Sequence, residues 1–160
     1  MSEQPPTFEE FFEVQRSRLF GMLTLVTGNR FEAEEIMQDA FLRVWERWER
    51  VSVMEEPAGY LYLTAMNVFR NRYRRAALAL RRTAAVAPTE DALATVEDRD
   101  LVVRALRHLT PRQRAAIVLT AYAGLTSEEA GRALGMQAGT VRTLATRAKN
   151  AMRERAEEFR

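Results

Sequence analysis

The 160-residue sequence contains no cysteine and only one histidine, His108. Without cysteine there can be no disulfide bond, no thiol nucleophile and no zinc finger. His108 lies in the helical pattern LVVRALRHL, which is typical of a surface position rather than of a catalytic one. A paired-carboxylate site and a glycine-rich phosphate loop are also missing. We therefore expect no catalytic residue, no metal site, no cofactor and no enzymatic activity.

Long apolar runs are missing as well. No segment approaches the roughly 18 consecutive apolar residues of a membrane-spanning helix, and the acidic start MSEQPPTFEEFF lacks the apolar centre of a secretory signal. We therefore expect a cytoplasmic protein that does not insert into a membrane.

No segment shows the two-residue alternation of a strand, whereas apolar residues recur at helical spacing along most of the chain. The pattern predicts an all-α fold with two small helical domains, residues 1–82 and 98–160, joined by a flexible linker at 83–97. Capping residues Thr7, Asn29 and Thr110 mark helix starts, and Gly28 marks the end of the first helix. The helical spacing of apolar residues is interrupted at residues 49–56, which predicts a loop there. The apolar stripe before them is expected to bury Ile36, Phe41 and Trp45.

The net charge of +2 conceals four blocks of alternating sign. Residues 1–56 carry a charge of −6, residues 57–87 carry +6 with no acidic residue, residues 88–103 carry −4, and residues 104–160 carry +6. Two basic blocks separated by an acidic one favour two phosphate-facing surfaces. The alternative is that these blocks are ordinary solvated helix faces. That interpretation fits the blocks of mixed charge, but it fits poorly with residues 57–87, which hold six arginines and no acidic residue.

Residues 124–150, GLTSEEAGRALGMQAGTVRTLATRAKN, have the pattern of a helix, a tight turn and a basic second helix. Thr126 and Glu129 have the spacing of a capping box, and Gly135 falls where a helix end favours a left-handed residue. A helix-turn-helix places such a second helix in the major groove of DNA. An ordinary αα-hairpin with a solvated basic face remains the alternative.

Three segments occur in the order and spacing of one known family. They are AEEIMQDAFLRVWERW at 33–48, PAGYLYLTAMNVFRNRYRR at 57–75, and the helix-turn-helix region at 105–153. In these segments the chain resembles bacterial RNA polymerase sigma factors of the extracytoplasmic-function (ECF) group, over about residues 8–155. It departs from the family pattern at Tyr60, Thr64 and Met66, and at Leu144 and Ala145 in the second helix of the motif. These departures concern the promoter sequence rather than the class.

The resemblance implies a non-catalytic subunit that binds core RNA polymerase, selects promoters and helps to open the DNA. The helix at 33–48 would bind core polymerase through its exposed side chains. The candidates are Glu35, Gln38, Asp39, Leu42, Arg43 and Glu46. Plain helix surface is the alternative for these polar residues.

The resemblance also assigns the −10 promoter element to the helix at 57–82 and the segment before it. Arginine neutralises phosphates, and asparagine forms hydrogen bonds with base and sugar edges. The candidates for −10 contact, melting and capture of the non-template strand are Asn67, Arg70, Asn71, Arg74, Arg75, Ser52 and Met54. Helix capping or solvation is the alternative for the two asparagines.

The second domain would bind the −35 element of double-stranded promoter DNA. The candidates on its second helix are Arg142, Thr143, Thr146, Arg147 and Lys149. A flexible linker would also allow the free protein to fold its domains together and cover both DNA-binding faces. Such a closed form suits capture by an anti-sigma factor, the usual partner in this family.

Two other functions are compatible with parts of the sequence. A promoter-binding regulator that uses the helix-turn-helix as a dimer would leave residues 33–75 without a role and would bind DNA tightly without polymerase. A helical adaptor that directs its basic faces at acidic proteins would support no promoter-specific transcription.

Overall fold

The computed structural model describes residues 4–82 and 101–158, and all regular structure in these ranges is helical. The predicted all-α fold is therefore confirmed. The predicted linker at 83–97, and the expected start of the next helix at residue 98, lie outside the described residues. In the described ranges, no helix is long and apolar enough to cross a membrane.

Within residues 4–82, the amino-terminal domain forms four helices: α1 (Phe8–Thr27), α2 (Arg30–Glu46), α3 (Trp48–Val51) and α4 (Pro57–Arg82). Thr7 opens α1 with a complete capping box, and Gly28 ends it with a left-handed φ of 71°. The Asn29 side chain then accepts hydrogen bonds from two backbone N–H groups of α2. These residues satisfy helix-end groups that would otherwise be unpaired, as the sequence predicts.

The short helix α3 corrects the loop expected at residues 49–56. Arg47 leaves helical geometry with φ −120° and ψ 21°, which redirects the chain. Helical hydrogen bonds resume at once, and the N–H groups of Arg50 and Val51 both bond to the Arg47 carbonyl, at 3.0 and 2.9 Å. Val51 is fully buried. Packing of the Val51 side chain in the core explains a helical turn that the spacing of apolar residues in the sequence does not indicate.

The amino-terminal core lies between α1, α2 and α4. Its fully buried large side chains include Leu19, Met22, Leu23, Ile36, Val44, Leu61 and Met66. Beside it, Phe8, Phe11 and Phe12 of α1 form edge-to-face and tilted ring contacts with Phe41 and Trp48. Such contacts add to the free energy gained from burial. They fix the angle between α1 and α2.

Trp45 does not belong to this core, so its predicted burial is wrong. The side chain is 57% exposed, whereas Ile36 and Phe41 are buried as expected. Trp45 follows Val44 by one residue, which rotates it by about 100° around the helix axis. Trp48 takes the place beside Phe11 instead, with ring centroids 5.0 Å apart.

The carboxy-terminal domain consists of α5 (Leu101–Arg107), α6 (Pro111–Ile117), a π-helix (Val118–Tyr122), α7 (Ser127–Leu134) and α8 (Ala138–Glu158). Thr110 opens α6 with a capping box that includes Gln113. The π-helix was not predicted, because the spacing of apolar residues in the sequence indicates one continuous helix that ends before Gly124. Its last turn closes through a hydrogen bond of 3.0 Å from the Ala123 N–H to the Val118 carbonyl.

The two domains pack against each other. Helix α4 contacts α7, and α1 contacts both α6 and the π-helix. Buried side chains of both domains form one continuous apolar cluster. The described helices therefore form a closed arrangement.

Candidate nucleic-acid and protein interfaces

The turn between α7 and α8 has the tight geometry that a helix-turn-helix needs. Gly135 ends α7 with φ 67°, and the Met136 N–H donates to the Gly131 carbonyl at 2.8 Å. A Cβ atom on Gly131 would lie 2.6 Å from the Met136 carbonyl oxygen. The turn thus requires a glycine at residue 131 for close approach and favours one at residue 135 for its left-handed backbone.

A capping box opens α7. The Glu129 N–H donates to the Thr126 hydroxyl at 3.1 Å, and the Thr126 N–H donates to the Glu129 carboxylate at 3.1 Å. Hydrogen bonds that the carboxylate accepts from the Thr126 backbone N–H and the Thr126 side chain favour its charged form and lower the pKa of Glu129. The predicted capping box is confirmed.

Helix α8 buries one side and exposes the other. Val141 and Ala148 are fully buried against the rest of the domain. All five predicted −35 residues lie on the exposed side: Arg142, Thr143, Thr146, Arg147 and Lys149. Two of them already have partners, since Arg142 pairs with Glu128 at 3.4 Å and the Thr143 hydroxyl donates to the Gly139 carbonyl at 3.0 Å.

Helix α4 presents a second basic surface. Asn67, Asn71, Arg74 and Arg75 are exposed there, whereas Met66 and Thr64 face the core. Arg70 is half-buried and differs from its neighbours. Its guanidinium donates to the Asn67 side-chain oxygen at 3.3 Å and to the Ala133 carbonyl at 3.4 Å.

The segment before α4 holds Ser52 and Met54 in a partly buried position. The Ser52 hydroxyl donates to the Glu49 carbonyl at 3.2 Å, and Met54 packs against the core. Val53, between them, is 73% exposed. The segment therefore presents an apolar side chain to solvent next to the start of α4.

The outer face of α2 carries the residues predicted to bind a protein partner. Glu35, Gln38, Leu42, Arg43 and Glu46 are exposed, and Asp39 is partly exposed and pairs with Arg43 at 3.6 Å. Leu42, at 54% exposure, and Trp45 form an apolar centre among these charges. Sequence reasoning missed Trp45 because it counted the residue with the core. The sequence offers no signal for this, because Trp45 and Trp48 both continue the apolar stripe.

A charged pair connects α2 to α4 behind these two faces. Arg72 bonds to Glu35 at 2.7 Å, with both side chains partly exposed. Glu32 lies nearby, half-buried, and burial raises its pKa, although Arg72 partly offsets the rise. The pair therefore links the outer face of α2 to α4.

The closed arrangement covers only part of the surface predicted to bind DNA. The expectation that domain closure would cover both faces is wrong for α8, whose candidate residues are exposed. On α4, the carboxy-terminal domain bounds a cleft of about 330 Å³. Arg70 and Arg74 line its α4 side, and Pro111, Arg112 and Met136 line the opposite side.

A helix-turn-helix with an exposed basic second helix, joined to a helical domain with its own basic surface, defines a two-domain DNA-binding protein. Comparison with known families makes this more specific. Residues 11–91 match the family model for sigma-70 region 2, and residues 99–152 match the model for sigma-70 region 4. The region 2 match covers the residues that a simple helix-turn-helix regulator leaves without a role.

Individual relatives agree with these matches. The RNA polymerase sigma-E factor of Streptomyces coelicolor is 30% identical over 149 residues, which cover 92% of this chain and 84% of that protein. The ECF sigma factor SigW of Bacillus subtilis is 25% identical, over 95% of this chain and 90% of its own length. The Bartonella quintana sigma factor RpoE, solved in complex with the anti-sigma factor NepR, has the same fold, with a TM-score of 0.73 and 21% identity over 96% of this chain and 98% of that one.

The chain belongs to the sigma-70 family, in its ECF group. It is an alternative sigma factor, which directs RNA polymerase to promoters and starts transcription there. The resemblance inferred from the three sequence segments is confirmed.

Proposed function

We propose that this sigma factor divides its work among three surfaces, each on a different helix. The outer face of α2 binds core RNA polymerase, the basic face of α4 binds the −10 element, and α8 binds the −35 element. The observation that carries this proposal is the placement of α2 and α4. The two helices pack together, and the exposed side chains of α2 are of mixed charge whereas those of α4 are basic, which suits two different partners.

The polymerase-binding surface centres on Leu42 and Trp45. Binding free energy in protein interfaces concentrates in a few residues, among which tryptophan is frequent, and a polar rim surrounds them. The rim here consists of Glu35, Gln38, Asp39, Arg43 and Glu46. Leu42 and Trp45 are separated by one helical turn, so they can supply the apolar centre that such an interface needs.

The −10 surface combines phosphate and base contacts. Arg70, Arg74 and Arg75 would neutralise phosphates, and Asn67 and Asn71 would donate to and accept from base edges. An unstacked base of the non-template strand would be captured near Ser52 and Met54, where Val53 offers an exposed apolar contact. Base capture biases the duplex toward opening without nucleotide hydrolysis, so the subunit itself needs no catalytic residue.

The −35 surface would contact the major groove through α8. Arg142 and Arg147 suit bidentate contact with guanine, and Thr143 and Thr146 suit phosphate or a thymine methyl group. Lys149 would add a phosphate contact. Arg142 must exchange the carboxylate of Glu128 for DNA, which costs little because that pair is exposed.

The cellular setting follows from these partners. We expect the protein to act in the cytoplasm, on core polymerase and promoter DNA. The Bartonella relative is bound to an anti-sigma factor, and we propose that a partner of this kind also controls the present chain. Residues 83–97 would connect the two DNA-binding domains.

Run-off transcription with purified core polymerase tests the assignment. Arg142→Ala should weaken use of a −35-dependent promoter by roughly 1–3 kcal/mol of base discrimination and leave polymerase binding intact. Arg153→Ala, which removes the same charge from an exposed position further along α8, is the matched control. Equal effects of the two substitutions, or a parallel loss of polymerase binding, would contradict the division of surfaces.

A further inference from the structure

Two threonines on the exposed side of α8 use their hydroxyl groups differently. The Thr143 hydroxyl donates to the Gly139 carbonyl, one helical turn earlier, at 3.0 Å. Thr146 is also exposed, and its hydroxyl forms no hydrogen bond with any residue that the structure describes. The two side chains therefore offer different chemical groups to DNA, although both lie on the surface proposed to bind the −35 element.

The hydrogen bond to Gly139 uses the only proton that the Thr143 hydroxyl can donate. Phosphate oxygens, guanine N7 and O6, and thymine O4 are all acceptors. The Thr143 hydroxyl can donate to none of them while its bond to the helix backbone is intact. What remains available is the methyl group, together with the acceptor capacity of the hydroxyl oxygen.

The position of the oxygen favours the methyl group as the part that contacts DNA. The oxygen is held within hydrogen-bonding distance of a backbone carbonyl, and the methyl group is the other branch of the Thr143 Cβ atom. The methyl group is thus the branch that is not engaged with the helix. Among the four bases, only thymine presents a methyl group in the major groove.

Gly139 leaves the approach to this methyl group open. It lies four residues before Thr143, on the same face of α8. A Cβ atom at residue 139 would be 4.0 Å from its nearest neighbour, a guanidinium nitrogen of Arg142, so packing in the described part of the chain does not require a glycine there. A missing side chain allows close approach of DNA, and the first residues of a recognition helix are those that reach base edges. Thr143 is the sixth residue of α8.

We propose that Thr143 reads a thymine of the −35 element through its methyl group, and that Thr146 positions α8 by donating to a phosphate. A phosphate contact fixes the register of the helix and carries no sequence information, whereas a methyl–methyl contact selects one base. The −35 element of this sigma factor therefore contains a constant A·T pair opposite Thr143. This inference rests on the proposed binding of the −35 element by α8.

Holoenzyme reconstituted from the full chain and core polymerase supplies the test. Wild-type holoenzyme selects promoters from a library with a randomised −35 element. Each thymine of the selected element is then replaced by deoxyuridine, which removes only the methyl group. Equilibrium competition should show that one of these replacements weakens promoter binding about fourfold, as expected for one buried methyl group.

The variants of Thr143 assign this effect to one side chain. Thr143→Val keeps a methyl group and removes the hydroxyl, so it should retain the preference for thymine over uracil. Thr143→Ser keeps the hydroxyl and removes the methyl group, so it should bind the thymine and uracil promoters equally, and about fourfold more weakly than wild type binds the thymine promoter.

Thr146 provides the matched control, with the opposite pattern expected. Thr146→Ser keeps the hydroxyl and should behave as wild type. Thr146→Val should weaken binding of the thymine and uracil promoters by the same factor. Thr143 and Thr146 are both exposed, so we expect all four variants to fold, and circular dichroism checks their helix content.

Three results would overturn the assignment to Thr143. They are a selected element without a constant A·T pair, a uracil effect that persists in Thr143→Ser, and a uracil effect that disappears in Thr143→Val. Arg142→Ala on the same promoters separates these results from a failure of the proposed function. If Arg142→Ala weakens binding while thymine and uracil remain equivalent, only the role of Thr143 is wrong. If Arg142→Ala also has no effect, the assignment of α8 to the −35 element is wrong.

Discussion

Arg72 and Glu35 join the helix assigned to the −10 element to the helix assigned to polymerase, with 2.7 Å between the guanidinium nitrogen and the carboxylate oxygen. Glu35 is thus a structural partner of α4 as well as a candidate for polymerase contact. The pair is partly exposed, at 36% for Arg72 and 63% for Glu35. Exposed pairs of this kind contribute little to the free energy of unfolding.

The first prediction concerns this pair. Glu35→Gln should lower the free energy of unfolding by less than about 1 kcal/mol, and the loss should shrink as salt is added. Chemical denaturation of Glu35→Gln, Arg72→Gln and the double variant at low and high salt measures the coupling. Additive single effects would show that the two side chains do not interact in solution.

The second prediction concerns Trp45. Trp45→Ala should weaken binding to core polymerase by about 2 kcal/mol or more, as for a central interface tryptophan, with little effect on folding because the side chain is exposed. Phe31→Ala is the control, since Phe31 is 74% exposed on the same helix and lies outside the proposed surface. Competition for core enzyme between labelled and variant sigma factor measures the difference. Similar behaviour of the two variants would remove Trp45 from the interface.

The third prediction concerns the helix-turn-helix turn. Gly131→Ala places a Cβ atom 2.6 Å from the Met136 carbonyl oxygen, and the backbone cannot yield as a flexible side chain can. We expect a loss of roughly 1–3 kcal/mol in the free energy of unfolding, typical of overpacking. Gly59→Ala, in open helix surface, should be neutral or stabilising. Thermal unfolding of both variants is the measurement, and equal melting temperatures would contradict the close approach.

The fourth prediction concerns pH. Burial raises the pKa of Glu32 in the folded state. Folding therefore favours the protonated carboxyl, and the folded protein loses stability as the pH rises through the folded-state pKa of Glu32. Glu32→Gln should therefore stabilise the protein at neutral pH relative to wild type. The difference should vanish in acid, where Glu32 is protonated in both the folded and the unfolded chain. A pH-independent difference between the two melting temperatures would mean that Glu32 does not carry the effect.

Features set by neighbouring residues were predictable from the sequence. Capping boxes at Thr7 and Thr126 and left-handed glycines at Gly28 and Gly135 depend on a few adjacent positions, and the structure has all of them. The all-α fold followed from the helical spacing of apolar residues, and the family followed from three segments that keep their order and spacing.

Features set by tertiary packing were not predictable in the same way. Trp45 and Trp48 both continue the apolar stripe. The redirection of the chain at Arg47 places Trp48, rather than Trp45, against the core. The helical turn of α3 depends on burial of Val51 in a core built by distant residues. Tyr122 lies against Gly21, and Arg70 lies against Gly135. These contacts depend on how two domains meet, and the sequence period carries no information about that. The roles of the individual site residues stay predictions.

The central claim is that promoter recognition requires core polymerase to hold the two DNA-binding surfaces apart. Each surface is small, and non-specific electrostatic binding by such faces has a Kd of roughly 10⁻⁴ to 10⁻⁶ M at physiological salt. Polymerase would remove the free-energy cost of separating and aligning the domains.

Footprinting of one cognate promoter with the isolated chain and with the reconstituted holoenzyme, at physiological salt, tests this directly. The account predicts protection of the −35 and −10 elements and strand opening without nucleotide hydrolysis for the holoenzyme, and no sequence-specific protection for the isolated chain. A nanomolar, sequence-specific footprint by the isolated chain would contradict it.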